Sequence, residues 1–288
     1  MAERCVFGDV AVSCMDLQKA KIVVLPVPYD GTSTWVKGAD KGPQAILKAS
    51  ENLEFYDIRT DSQVFDRGIF TAPLLKGFST PQQMVDAVRT TVAGHLENGK
   101  FLVLLGGEHS ISIGSVQAHG QAFKDLSILQ LDAHADLRDS YEGSAFNHAC
   151  TMARVREICP IVQVGIRSMD VCEKTNMDRS RVFFAEDICN GGDRRWIDDA
   201  LELLTDRVYV TIDLDVFDPA IMPATGTPEP GGLGWYDVLA VLKALCRKKQ
   251  LVGFDVTELC PRPALWACDF TAAKLVYQLL SCRFEDKR

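Results

Sequence analysis

Seven short apolar runs, at 21–27, 101–106, 127–132, 161–165, 181–184, 207–213 and 251–255, constrain the fold more than anything else in this chain. They are continuous and rich in β-branched residues rather than alternating, as expected of strands covered on both faces. Between them lie helical patterns at 81–98, 149–158, 194–205 and 235–247. The last places Val238, Val241, Leu242 and Leu245 on one stripe, and the first runs into Gly99, a normal C-terminal stop. Strand and helix alternate from end to end, so the pattern predicts a three-layer α/β/α sandwich around a parallel sheet. No Pro/Ser-rich linker, repeat or low-complexity tract interrupts it, and residues 1–288 read as a single domain. In such sheets ligands bind beyond the carboxyl ends of the strands.

Four of those ends carry ionisable residues. Segment 101–106 is followed by Gly107-Glu108-His109-Ser110, and the third run by Asp132-Ala133-His134-Ala135-Asp136. Asp213-Leu214-Asp215 closes the sixth run, and Asp255-Val256-Thr257-Glu258 the seventh. In extended chain, residues i, i+2 and i+4 point the same way. Asp132, His134 and Asp136 therefore converge, and so do Asp213 and Asp215. Four carboxylates and an imidazole at neighbouring strand ends repel one another unless a counter-charge is present. With His109 the set offers six ligands, enough for two divalent ions sharing bridging carboxylates. Carboxylate and imidazole without thiolate suits Mn²⁺ best, with Zn²⁺, Co²⁺ and Ni²⁺ as alternatives. Each motif alone has a plainer explanation, such as a helix cap or a solvated turn; it is the joint occurrence that points to metal. Nucleotide-binding alternatives fail, because the chain has neither GxGxxG nor GxxxxGK[ST].

Composition narrows the partners. With 31 Lys+Arg against 39 Asp+Glu the formal net charge is −8, which argues against nucleic acid and anionic membranes. No signal-like N-terminus and no apolar run long enough to span a bilayer is present. The ten cysteines contain no CxxC pair. They read as reduced thiols of a cytoplasmic protein, most of them small core residues, with a disulfide framework as the weaker reading.

The strand-end motifs resemble those of the ureohydrolase family of arginases, agmatinases and related amidinohydrolases. The resemblance rests on 106–110 (GGEHS), 132–136 (DAHAD), 213–232 (DLDVFDPAIMPATGTPEPGG) and 255–261 (DVTELCP), and extends from the early PVPYDG turn at 26–31 to the C-terminal helix. It implies an arginase-like fold with two Mn²⁺ per chain. One ion would be held by His109, Asp132, Asp136 and Asp213, the other by Asp132, His134, Asp213 and Asp215, with Asp132 and Asp213 bridging. Asp218 receives no ligand role. A hydroxide between the ions would attack the carbon of a guanidinium, releasing urea and an amine. Asp136 would relay the proton, His148 would serve proton transfer, and Glu258 would pair with the guanidinium. His95 and His119 match no motif and read as structural.

Substrate choice rests on the stretch after the second motif, LRDSYEG at 137–143. It looks like agmatinase-type members, including those acting on aminopropylagmatine, and lacks the Asn/Ser-rich stretch of arginases. Asp139 and Glu142 could meet a distal ammonium, so a small cationic guanidino substrate is expected, agmatine first. Arg138, a further candidate contact, could instead draw a guanidino acid such as guanidinobutyrate. A non-enzymatic relative or a binuclear phosphoesterase is the alternative from another class; the intact ligand set argues against the former and the missing basic phosphate clamp against the latter. Relatives commonly form trimers or hexamers, so a homo-oligomer is expected.

Overall fold

The computed structural model describes residues 6–8 and 16–285; Cys5 and Cys14 lie outside the described residues. Among these, eight strands run β1 Ile22–Val27, β2 Ile69–Thr71, β3 Phe101–Gly106, β4 Leu126–Leu131, β5 Ile161–Ile166, β6 Val182–Phe184, β7 Arg207–Asp213 and β8 Gln250–Thr257. The α-helices are α1 Gly42–Ser50, α2 Pro81–Glu97, α3 Ile111–Ala122, α4 Thr151–Val155, α5 Ala185–Asn190, α6 Arg195–Glu202, α7 Trp235–Lys248 and α8 Trp266–Arg283. All strand pairs are parallel, in the order β2-β1-β3-β8-β7-β4-β5-β6.

Both faces of the sheet are covered, which explains the unbroken apolar runs. Ile22 and Val24 of β1 belong to the core on the face covered by α1, α7 and α8, whereas Val23, Leu25 and Val27 belong to the core under α2 and α3. The same alternation recurs in β4, where Leu129 and Leu131 join the first cluster and Leu126 and Ile128 face α3 and α4. Each such side chain taken from water contributes about 1.5–3 kcal/mol. The predicted sandwich is therefore the observed one.

Five of these elements, α1 and α5 among them, fall outside the patterns read in the sequence, and three have a plain physical reason. β2 is a three-residue edge strand, too short to show a pattern. Helices α3 and α8 are buried over most of their surface, so neither displays a polar face in its sequence. By contrast α2 carries its boundaries openly: the Thr80 hydroxyl accepts the Gln83 N–H at 3.2 Å, Pro81 opens the helix, and Gly99 leaves it at φ 68°.

Register then positions the chemistry. Leu131 pairs with Ile212, Ile212 with Val256, and Val256 with Leu105. These four residues form one row across β4, β7, β8 and β3, so the residues that follow them all emerge on one edge. Strands β8 and β7 separate β3 from β4, so that edge is also where the strand order reverses.

Candidate metal centre

His109 is delivered by the tight turn after β3. The Glu108 N–H donates to the Tyr29 carbonyl at 2.8 Å, and a Cβ on Gly107 would stand 2.0 Å from that same oxygen; only glycine lets the two backbones approach this closely. The His109 ring is buried, with Nδ1 lying 3.0 Å from Asp136 Oδ2, 3.1 Å from Asp132 Oδ2 and 3.6 Å from Asp213 Oδ2. Its Nε2 lies 2.8 Å from Thr211 Oγ1, and that hydroxyl donates to Asp255 Oδ1 at 2.7 Å. The Thr211 hydrogen is thus committed, so Nε2–H is the donor and Nδ1 faces three carboxylates. Against its burial, Asp132 and Asp136 raise the ring well above the ordinary imidazole range, and once the Nδ1 proton leaves, Nδ1 presents a lone pair to them. Nδ1 has no hydrogen-bond partner among the described residues. A lone pair facing three anions is repulsive unless a cation sits between them, and Asp255 acts behind the site to fix the ring.

The second half of the centre follows the same logic. His134 Nδ1 is 2.9 Å from Asp215 Oδ2 and 3.8 Å from Asp132 Oδ1. Two groups of ligand atoms thereby form among the described residues: His109, Asp132 and Asp213, and Asp132, His134 and Asp215, each spanning no more than 4.8 Å. Asp132 belongs to both. Asp213, expected to bridge as well, stands in the first group, and its Oδ1 accepts the Asp215 N–H at 2.9 Å, capping the turn Leu214–Val216. Asp136 stands beside the first group, its chain turned by a positive φ of 54°.

The electrostatics describe a site in which protons take the place of ions. Burial and the Asp215 charge push Asp132 up to about 7, and burial together with Asp215 and Asp132 lifts Asp213 well above the carboxylate range. His134 rises to about 10 although burial opposes it, because Asp215 lies against it. Asp215, held down in turn by His134 against its own burial, falls to about 2. Divalent cations would replace those protons, and carboxylate oxygens with imidazole nitrogens are suitable donors for them.

A cavity of about 290 Å³ opens over these groups. His109, His134, Asp136 and Asp213 line its floor, and His148 and Glu258 its walls. Glu258 holds φ 65° and accepts the His109 N–H at 2.7 Å on Oε1. At the outer end, Arg138 lies 4.4 Å from the Tyr141 ring centroid and within 3.5 Å and 3.9 Å of Asp170 and Glu173. All four of these residues line the cavity.

Asp139 is placed differently from its expected role. Its side chain is 81% exposed, lies outside the cavity lining, accepts from Asn176 Nδ2 at 3.1 Å and approaches Arg154. Glu142 is likewise exposed, at φ 47°. The acidic groups that line the cavity beside Arg138 are instead Asp170 and the buried Glu173, which follow β5. In sequence they form a capping box for the turn Val171–Thr175, and they do cap it; that local role masks their position in the cavity. Asp218 accepts the N–H groups of Ala220, Gly231 and Gly232 and organises its loop. His119 is buried in α3 against Tyr209, and burial lowers it to about 4. The eight cysteines among the described residues are all unpaired: three are buried, three half-buried, and Cys172 and Cys189 exposed. No helix among these residues is long and apolar enough to cross a membrane.

A parallel α/β sandwich carrying carboxylate–imidazole groups on four adjacent strand ends is thus the class that fold and site define. A sequence model of the Arginase family matches residues 20–282, and the chain belongs to that family. It is 41% identical to the N(1)-aminopropylagmatine ureohydrolase of Synechocystis, over 93% of this chain and 91% of that protein. It is 34% identical to the agmatinase of Pyrococcus horikoshii, over 94% and 95%. Among solved structures, the agmatine ureohydrolase of Thermoplasma volcanium superposes with a TM-score of 0.86 at 32% identity, covering 96% of this chain and 94% of that one.

Proposed function

We propose that this protein is a ureohydrolase that cleaves a linear guanidino amine into urea and the free amine, using two divalent ions, Mn²⁺ first among them. One observation carries the reading: two ion-ligating groups joined through Asp132 border a cavity whose lining includes their members His109, His134 and Asp213 together with Glu258. Divalent ions held by His109, Asp132 and Asp213 and by Asp132, His134 and Asp215 would lower the pKa of water enough to make it a nucleophile near neutral pH. Glu258 supplies a carboxylate to the planar guanidinium and holds its carbon over the floor. Asp136, 3.0 Å from His109 Nδ1, is placed to accept the proton released by the attacking water. His148 hands a proton to the departing amine nitrogen.

The mouth of the cavity supports an amine at the far end of the substrate. The Arg138 charge is matched by two carboxylates and its face is covered by Tyr141, so the outer wall carries net negative charge. That wall repels the carboxylate of arginine or guanidinobutyrate and favours an ammonium. N(1)-aminopropylagmatine and agmatine both fit this description. The first is favoured by the higher identity to a relative of that name, the second by the likeness to agmatine ureohydrolase structures.

Urea release by the Mn²⁺-loaded protein from aminopropylagmatine, agmatine, arginine and guanidinobutyrate tests this. The expected kcat/KM for either amine exceeds that for arginine by about tenfold or more; a preference for arginine or a guanidino acid would overturn the assignment of the outer wall.

A further inference from the structure

An imidazole can present either ring nitrogen to a substrate, and the partner of the other nitrogen decides which one carries the proton. His148 lines the cavity, but its Nδ1 faces two groups that do not: Thr32 Oγ1 at 3.2 Å and Glu108 Oε2 at 3.8 Å. Glu108 is fully buried and Thr32 is 7% exposed. Thr32 carries no chemical signal of its own in the sequence, although it directly follows the PVPYDG turn; Glu108 stands in the GGEHS motif without a role assigned to it there.

With the Glu108 carboxylate ionised, the form that two hydroxyl donors at its oxygens favour, the hydrogen bonds around Thr32 leave one arrangement. Its hydroxyl donates to Glu108 Oε2, while the Ser110 hydroxyl donates to Oε1 of the same carboxylate. The single Thr32 hydrogen is therefore used. Of its two lone pairs, one accepts the His148 backbone N–H at 2.9 Å. Only the second lone pair remains for His148 Nδ1, so Nδ1 must carry a hydrogen and donate it.

We propose that Thr32, anchored by Glu108, is a positioning residue that locks His148 in its Nδ1–H tautomer, so that Nε2 is the atom exchanging a proton with the substrate. The catalytic consequence rests on the ureohydrolase reading; the tautomer does not. Bare Nε2 takes up the proton that the attacking water has given to Asp136, forming the imidazolium. As the C–N bond breaks, its electron pair stays on the leaving nitrogen, which takes the Nε2 proton and departs as an amine. The ring returns to the Nδ1–H form without having to rotate.

Two variants separate orientation from mere packing: Thr32→Val keeps the shape and removes the hydroxyl, and Thr32→Ser keeps the hydroxyl. With the Mn²⁺-loaded protein, Thr32→Val should lower kcat for the accepted amine about tenfold to a hundredfold. KM should stay within about twofold, and Thr32→Ser should recover to within about threefold of the parent. Unchanged kcat in Thr32→Val, or equal loss in both variants, overturns the proposal. A parent protein inert toward every guanidino compound would overturn the functional reading instead, and long-range ¹H–¹⁵N spectra of ¹⁵N-histidine-labelled, Zn²⁺-loaded protein then decide the tautomer. With His148 assigned by His148→Asn, the parent should show the Nδ1–H form and Thr32→Val should shift toward Nε2–H. An Nε2–H form in the parent sinks the proposal.

Discussion

Asp136 and Glu258 both adopt the left-handed backbone region, at φ 54° and 65°, a conformation costing a non-glycine residue about 1–2 kcal/mol. Both lie just past the end of a strand, where the chain must turn a carboxylate back over the sheet edge. For Glu258 the conformation also brings Oε1 onto the His109 N–H. Replacing Glu258 by Gln keeps that acceptor but removes the charge facing the guanidinium. Its kcat/KM for the accepted amine should fall about a hundredfold, the range for losing a desolvated charge partner, while elemental analysis still finds the parent metal content. Asp132→Asn acts differently, since both ligand groups share Asp132; both ions should be lost together, measured by the same analysis. Asp132, His134 and Asp136 are legible in the sequence as alternating ligand types directly after a strand, although β4 ends at Leu131 and Asp136 sits in the left-handed region rather than in extended chain. The partners that orient the site are not legible in this way. Thr211, Asp255 and Thr32 act through hydrogen bonds between distant segments, and no local spacing encodes such bonds.

At the scale of elements, the sheet edge depends on close backbone approaches that only particular residues allow. Gly107 stands at one, with the Tyr29 carbonyl where its side chain would begin. Gly107→Ala should cost about 1–3 kcal/mol of stability, read as a lower midpoint in urea unfolding, and weaken ion binding because His109 is two residues away. The strand runs are legible because both sheet faces are covered, which leaves continuous apolar stretches. Helix α3 is not legible for the same physical reason turned around: Ile111, Ile113, Val116, Ala118 and His119 are all buried, so no polar stripe marks its period. The acids of the 137–143 stretch suggest cavity residues but face solvent, because sequence shows charge and not the direction in which a loop points it.

For the molecule as a whole, ion binding and stability are linked. Without ions, folded protein keeps His134 protonated up to about 10, against its burial, because of Asp215; the unfolded chain releases that proton near 6.5. Between those values the folded state binds more protons than the unfolded one, so stability falls as pH rises. His119 and His148, both lowered by burial, are neutral in either state above pH 7 and do not oppose this. Metal-free protein should therefore show a falling Tm from pH 7 to 9 in thermal scans. The loaded protein, whose imidazoles are neutral ligands, should hold its Tm over that range, and the gap between the two should widen. A gap that narrows would mean that the histidines do not meet the ions.

The claim on which the rest depends is that the two groups joined through Asp132 hold ions that make this chain a guanidine hydrolase. Titrating metal-free protein with Mn²⁺, while following bound ions and urea released from aminopropylagmatine or agmatine in the same samples, tests it most directly. Urea release that rises with binding and levels off at two ions per chain is the predicted result. Two ions bound with no urea from either amine, or full turnover at a single ion, would contradict it.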